Sequence, residues 1–440
     1  PTLLNHANQT QAGDANMLMY KTWAEKSGEM IEWMADTLGP KGMLFPFEWH
    51  CPDDPHAYYP AMSYNPCIGE YNPDGPNYNS YAHLEVMRDV FTEDLGGEIR
   101  FECPAQQLII DEAGRVTGVV AEGKEGFIQV NAAKGVIVCA GDYSANPEMA
   151  KELLSQITNM IGEDGQIVTS GYEGDVLKLC YWAGGQLDPY QSSMGGDYYY
   201  PCDSPADPLG SAASLWINAD GKRYCNEGFG FMEWAAYAGA LQPAGKIANV
   251  FDSNYEALIK AQPACHMGID YPNGGMDGLP AILEAAVAGG PEGSGPDSNP
   301  VVYAANDYET LGGYLGYEGE ALDNFVASIE RYNELCATGL DEDFGKEKSL
   351  MFAVNQPPYY AYAGEKTLGG MLCNTSGVAI DENGQVLARE TFRPIPGLFA
   401  AGNTAGSRFG IQYTTALCGV SIAFAVTQGK FTGEYVASLA

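Results

Sequence analysis

Pro394-Ile-Pro-Gly-Leu-Phe-Ala-Ala-Gly402 is a short apolar run entered through prolines and closed by glycine. It reads as a buried strand, and a strand that ends on glycine lets backbone approach a ligand at the carboxyl edge of a sheet. Ahead of it, residues 376–387 read as a hairpin turning at Glu382-Asn-Gly384. Beyond it, a glycine-rich loop leads to Gly419-Val-Ser421, which opens or interrupts a last helix expected over 416–437. Glycine near a helix N-terminus leaves N–H groups for a negatively charged group. A second run, Gly135-Val-Ile-Val-Cys-Ala-Gly141, is continuously apolar, the pattern of a buried parallel strand.

Working outward, Met19, Trp23, Met30, Ile31, Trp33 and Met34 recur at helical spacing, which predicts a helix over 17–38 stopped by Gly39-Pro40. A loop rich in Pro, Asn and Tyr follows over 45–81. A second helix is expected over 84–95, then a β-meander with strands at 98–101, 106–111, 116–122 and 126–130. From 146 to about 356, helix-like stretches (147–157, 175–183, 321–336) alternate with loops, as in a separate α+β unit inserted into the first. Strands return from 359. The expected division is 1–150, 151–355 and 356–440.

Composition narrows the function. With 45% hydrophobic residues in 440, the chain can bury a core of two or three packed units. Its formal charge of -35 disfavours nucleic acid and anionic membrane surfaces as partners. No run of eighteen apolar residues occurs, so no membrane-spanning helix is expected. Eleven cysteines lie singly, without C-x-x-C, and five histidines are scattered, which argues against zinc or iron–sulfur sites. Single cysteines read as reduced thiols, and a cytoplasmic, prokaryotic location is expected, with an exported form left open. There is no G-x-S-x-G to support a hydrolase.

Four segments in order resemble the FAD-binding fumarate reductase and 3-ketosteroid dehydrogenase flavoproteins: 135–146, Ile217-Asn-Ala-Asp-Gly-Lys-Arg-Tyr-Cys-Asn-Glu227, Leu368-Gly-Gly370 and 394–403. The resemblance implies an α/β fold: a Rossmann-like FAD-binding domain with a β-meander and an inserted α+β capping domain. It places Ala105 near the adenine, Gly141 near the pyrophosphate and ribose, and Asn403 where a glutamate usually holds the ribityl chain. Gly419, Val420 and Ser421 would face the flavin pyrimidine edge, where negative charge develops on reduction. Ala140, Asp175 and Gly402 are counted with these cofactor contacts. The family opens with G-x-G-x-x-G, which the first hundred residues lack. The FAD-binding domain is therefore expected to be incomplete at the N-terminus, its first part supplied by an N-terminal segment or companion chain.

A second departure bears on the substrate. The family's fumarate reductases carry a proton-donating arginine soon after the Asn-Glu pair, but Asn226-Glu-Gly-Phe-Gly-Phe-Met-Glu-Trp234 has none. Aromatics are abundant instead: Tyr198, Tyr199, Tyr200, Phe229, Phe231, Trp234, Tyr359, Tyr360 and Tyr413. That composition suits an apolar carbonyl compound such as an enone, steroid or polyphenol. Tyr413 is the first candidate for the acid that protonates carbon opposite hydride delivery, Arg408 a substrate or flavin contact, and Tyr360 a pocket-facing phenol. The expected activity is hydride transfer between flavin N5 and an activated C–C bond, foremost as an ene-reductase, with an unidentified electron donor. The alternative is a non-catalytic flavoprotein-like subunit that has lost its cofactor.

Overall fold

The computed structural model describes residues 16–45, 67–68, 82–154, 171–189, 191, 193–195, 209, 212–229, 242–262, 271, 274–289, 294–295, 302–365, 371–410 and 420–439. Apolar residues at helical spacing bury one stripe of α1 (Met17–Leu38), from Met19 and Tyr20 through Trp23 and Met30 to Met34 and Leu38. Asn16 caps it, its side chain accepting from the Leu18 N–H at 3.0 Å. The expected second helix is α2 (Ala82–Asp89), which widens into a π turn over Val90–Asp94.

The meander has three strands, β1 (Ala105–Ile110), β2 (Val116–Gly123) and β3 (Gly126–Asn131), antiparallel in that order. Residues 98–101, expected to be a fourth, form no strand. Ile99 and Phe101 stay exposed, so no buried face recruits their alternation. β4 (Val136–Val138) follows, then α3 (Pro147–Leu153) and α4 (Asp175–Trp182). Leu177, Leu179 and Cys180 of α4 pack in one core with Val138, Val378 and Leu398. This core therefore joins residues from both sides of position 150.

A second sheet, antiparallel, joins β5 (Leu215–Asn218), β6 (Lys246–Asp252), β7 (Val302–Ala305) and β8 (Tyr359–Glu365), ordered β7-β8-β6-β5. Successive side chains of β8 go to opposite faces. Tyr360 and Tyr362 join a core with Phe251 and Leu283, whereas Tyr359 and Ala361 join one with Val250 and Phe325 of α5 (Gly319–Thr338). β8 lies in the middle of this sheet, paired with β7 on one side and β6 on the other.

The chain then returns as β9 (Gln385–Leu387), β10 (Pro394–Ala400) and the helix α6 (Val420–Ser438). β10 is antiparallel to β9 and parallel to β4, with Leu398 opposite Val136 and Ala400 opposite Val138. The hairpin turn falls at Asp381–Gly384, closed by the Gly384 N–H on the Asp381 carbonyl at 3.0 Å. Trp23 of α1 stacks on Phe424 of α6 with ring centroids 4.9 Å apart. Among the described residues β4 has a strand on one side only, and Ile137 is 36% exposed. No helix among them is long and apolar enough to cross a membrane.

Candidate cofactor site

The parallel strands β4 and β10 end side by side, and hydrogen bonds continue the pairing into the turns beyond. The Ala401 N–H donates to the Val138 carbonyl at 3.0 Å. The buried Thr404 hydroxyl accepts from the Ala140 N–H at 2.9 Å and donates to the Gly141 carbonyl at 2.8 Å. Gly402 has φ +65°, and a Cβ placed there would meet nothing within 4 Å. A left-handed residue facing open space is where backbone can come up against a ligand. Cys139 and Ala140 are exposed at the end of β4, and the Tyr172 ring lies against Gly141.

Behind this edge stands a group of buried polar side chains. Asp188, carried just beyond α4, accepts from the Ser407 N–H at 2.9 Å, the Ser407 hydroxyl at 3.3 Å and the Gly377 N–H at 3.2 Å. A Cβ on Gly406 would come within 2.0 Å of its Oδ2, so the 402–408 loop can close on the carboxylate only because that residue is glycine. Burial pushes the Asp188 pKa up to about 6, although the Ser407 and Gly377 donors and the Arg408 charge pull the other way. Arg408 is wholly buried; its Nε donates to the Ala405 carbonyl at 3.0 Å and its Nη2 to Asn403 Oδ1 at 3.1 Å. Asp142 accepts from the Ser144 N–H at 2.8 Å and the Asn374 N–H at 2.9 Å, tying the turn after β4 to the 371–374 strand.

The structure brings together Ala140, Gly141, Gly402, Asn403 and Arg408. Ala105, expected near the adenine, starts β1 opposite Ala121 and packs against the first core. Asp175 starts α4 with an exposed carboxylate paired to Lys178 at 2.8 Å. Val420 is the buried first residue of α6, followed by half-buried Ser421. Tyr413 and Gly419 lie outside the described residues, as do Leu368-Gly-Gly370, Tyr198, Tyr199, Tyr200, Phe231 and Trp234. Tyr360 is in the core of the inserted unit, its ring stacked on Phe251 at 5.5 Å. Burial there raises its pKa. Its placement argues for packing in place of the catalytic role expected from the sequence.

Sequence reasoning missed Asp188, Asp142 and Thr404. Their only signal was a carboxylate or hydroxyl amid glycines and apolar residues, which is too common to single out. It missed a second buried cluster as well. Arg223 lies between Glu227 (Nε–Oε1 2.8 Å) and Asp341 (Nη2–Oδ2 2.7 Å), and the buried Lys346 stands 3.3 Å from Glu227. Lys346 also donates to the carbonyls of Ala213 and Ser214 and to the Tyr332 hydroxyl. Among the described residues no group of His, Cys, Asp and Glu could hold a metal ion.

Comparison with known proteins bears on the same edge. The family described as FAD binding domain matches residues 10–422. Vinyl phenol reductase from Lactiplantibacillus plantarum is 29% identical over 363 residues, which are 78% of this chain and 69% of that protein. Fumarate reductase (cytochrome) from Shewanella frigidimarina is 26% identical over 355 residues, 77% of this chain and 52% of that one. A crystal structure of 3-ketosteroid-Δ4-(5α)-dehydrogenase from Rhodococcus jostii, bound to 4-androstene-3,17-dione, is similar with a TM-score of 0.66 at 18% identity. The likeness covers all of this chain and 83% of the other and shows a shared fold. The cofactor is FAD, and the residues present fit it. Open space at Gly402 and the exposed residues Cys139 and Ala140 leave room at the carboxyl ends of two adjacent parallel strands.

Proposed function

We propose, from the premise that this chain belongs to the FAD binding domain family, that it moves a hydride between flavin and an activated C–C bond of an apolar carbonyl compound, foremost as an ene-reductase. FAD, when bound, supplies the hydride exchange. The chain's residues hold it and manage the proton. Ala140, Gly141, Gly402 and Asn403 offer backbone and amide contacts at the strand ends, with Ala105 and Asp175 toward its nucleotide half. Gly419, Val420 and Ser421 present the start of α6 to the pyrimidine edge, where helix N–H groups favour developing negative charge. Tyr413 gives its phenol proton to the substrate carbon opposite the flavin.

The observation that carries the apolar substrate is the engagement of two arginines inside the protein. Arg223 is held by Glu227 and Asp341, and Arg408 by Asn403 and Ala405. A dicarboxylate would call for guanidinium groups turned to the ligand, and residues 226–234 add none. Likeness to a vinyl phenol reductase supports the same reading.

The proposal includes a partner for β4. A segment bearing a glycine-rich phosphate-binding turn would pair along its open side and cover Ile137, whether it belongs to a longer form of this chain or to a companion. The units are proposed as an FAD-binding part before 150 and after 356, with a capping part between them.

The test uses FAD-loaded protein reduced anaerobically and then offered a vinyl phenol, a 4-ene-3-ketosteroid or fumarate. Reoxidation by either apolar acceptor and not by fumarate is expected. Reoxidation by fumarate alone overturns the substrate class, and bound flavin that none reoxidises favours a non-catalytic subunit. Tyr413→Phe is expected to slow turnover about 100-fold; unchanged turnover removes Tyr413 as the acid.

A further inference from the structure

We propose that Arg408 is a positioning residue for the FAD site: by donating to Asn403 Oδ1 it fixes the carboxamide so that Nδ2, a donor, is what Asn403 offers the cofactor. The argument begins with an asymmetry of chemistry. A guanidinium has donors only, so the Asn403 atom 3.1 Å from Nη2 is the oxygen, and the amide nitrogen takes the other side. Asn403 is half-buried and follows Gly402, whose missing side chain faces open space. Arg408 is wholly buried, so its orientation is set by protein groups.

Those groups leave it little freedom. Nε is held by the Ala405 carbonyl at 3.0 Å, within the same turn that carries Asn403. Asp188 supplies negative charge behind the loop and holds both Ser407 hydrogen donors, with Gly406 packed directly against it. Tyr20 of α1 is buried and packs its ring on Phe409, the residue after Arg408. The guanidinium can therefore serve Ala405 and Asn403 together, which a lysine, with its single ammonium, cannot do with the same fork geometry. The site thus presents a neutral N–H donor to an oxygen or nitrogen lone pair of FAD.

This inference rests on FAD as cofactor and not on the substrate reading. It is tested by titrating flavin-depleted protein with FAD, following fluorescence quenching, with thermal melting as the control for folding. Asn403→Leu, which removes the donor and also takes the Asn403 acceptor from buried Arg408, is expected to lower melting and to weaken the FAD affinity of the folded protein about tenfold. Arg408→Lys is expected to weaken it about threefold to tenfold while Asn403 is intact, and to add little once Asn403 is leucine. Unchanged affinity in Asn403→Leu, or full additivity of the two substitutions, overturns the relay. If Arg408→Lys fails to fold, Asn403→Asp decides: it keeps an acceptor for Arg408 and has no donor to offer, so it is expected to lose affinity as Asn403→Leu does, and wild-type affinity overturns the relay. Wild-type protein that takes up no FAD overturns the cofactor assignment itself.

Discussion

Asp188 and Asp341 are both buried aspartates gripped by loops, one behind the cofactor edge and the other in the inserted unit, yet they titrate in opposite directions. Burial pushes both upward. For Asp341 the hydrogen-bonded Arg223 and the N–H groups of Lys346 and Phe344 outweigh it, and its pKa falls to about 2. For Asp188 the donors of Ser407 and Gly377 and the charge of Arg408 do not, and its pKa rises to about 6. A carboxylate with a bidentate guanidinium is kept charged; one held by backbone donors and a hydroxyl is only partly compensated. The inserted unit has closed its charges on one another. At the ends of β4 and β10, Arg408 instead donates to Ala405 and Asn403 of its own loop.

The largest effect should come from opening the closed cluster. Arg223→Met leaves Glu227 and Asp341 buried with Lys346 as the nearby cation, and should cost about 4 kcal/mol in chemical denaturation. A loss below about 1 kcal/mol would break the contrast.

The pH dependence sharpens it. Asp188 has a folded pKa above its ordinary 3.8, so the folded state holds that proton more tightly than the unfolded chain. Stability linked to it is full below about pH 4 and falls as pH rises toward 6, by about 3 kcal/mol for a shift of roughly two units. Asp341, depressed from 3.8, contributes stability above about pH 4 that is lost as pH falls toward 2. Stability profiles of wild type against Asp188→Asn and Asp341→Asn should therefore diverge in opposite directions; parallel profiles would refute the assignment.

The smallest effect separates fold from ligand at the edge itself. Gly402→Ala should cost only about 1 kcal/mol, because the strain of φ +65° is not joined by any clash. Its added methyl enters the open space, so FAD affinity should fall more than stability does. A drop in melting temperature with unchanged FAD affinity would move the cofactor away from Gly402.

Much of the frame was legible in the sequence. The helix expected over 17–38 is α1, because a long apolar stripe with a stop at Gly39-Pro40 needs no distant partner to be recognised. The continuous apolar run 135–141 contains β4, and its partner is the parallel β10. Family and cofactor were legible from motifs in register. Residues 98–101 misled because alternation alone does not supply a neighbouring strand. The partners of β8 were not legible either, because its pairing with β6 and β7 depends on strands distant in the chain.

What the sequence by itself determined was the helix α1 and the two apolar runs that become parallel strands, which depend on local patterns of apolar residues and glycine, while the flavin followed from the resemblance of four segments to a known family. Only the tertiary structure decided what Arg408 and Asp188 do. Their roles depend on burial and on donors brought from residues as far away as Gly377 and Ser407. A charged side chain in a sequence has no dielectric surroundings until the chain folds around it, and the same aspartate can end near pKa 2 or near 6 according to which donors arrive.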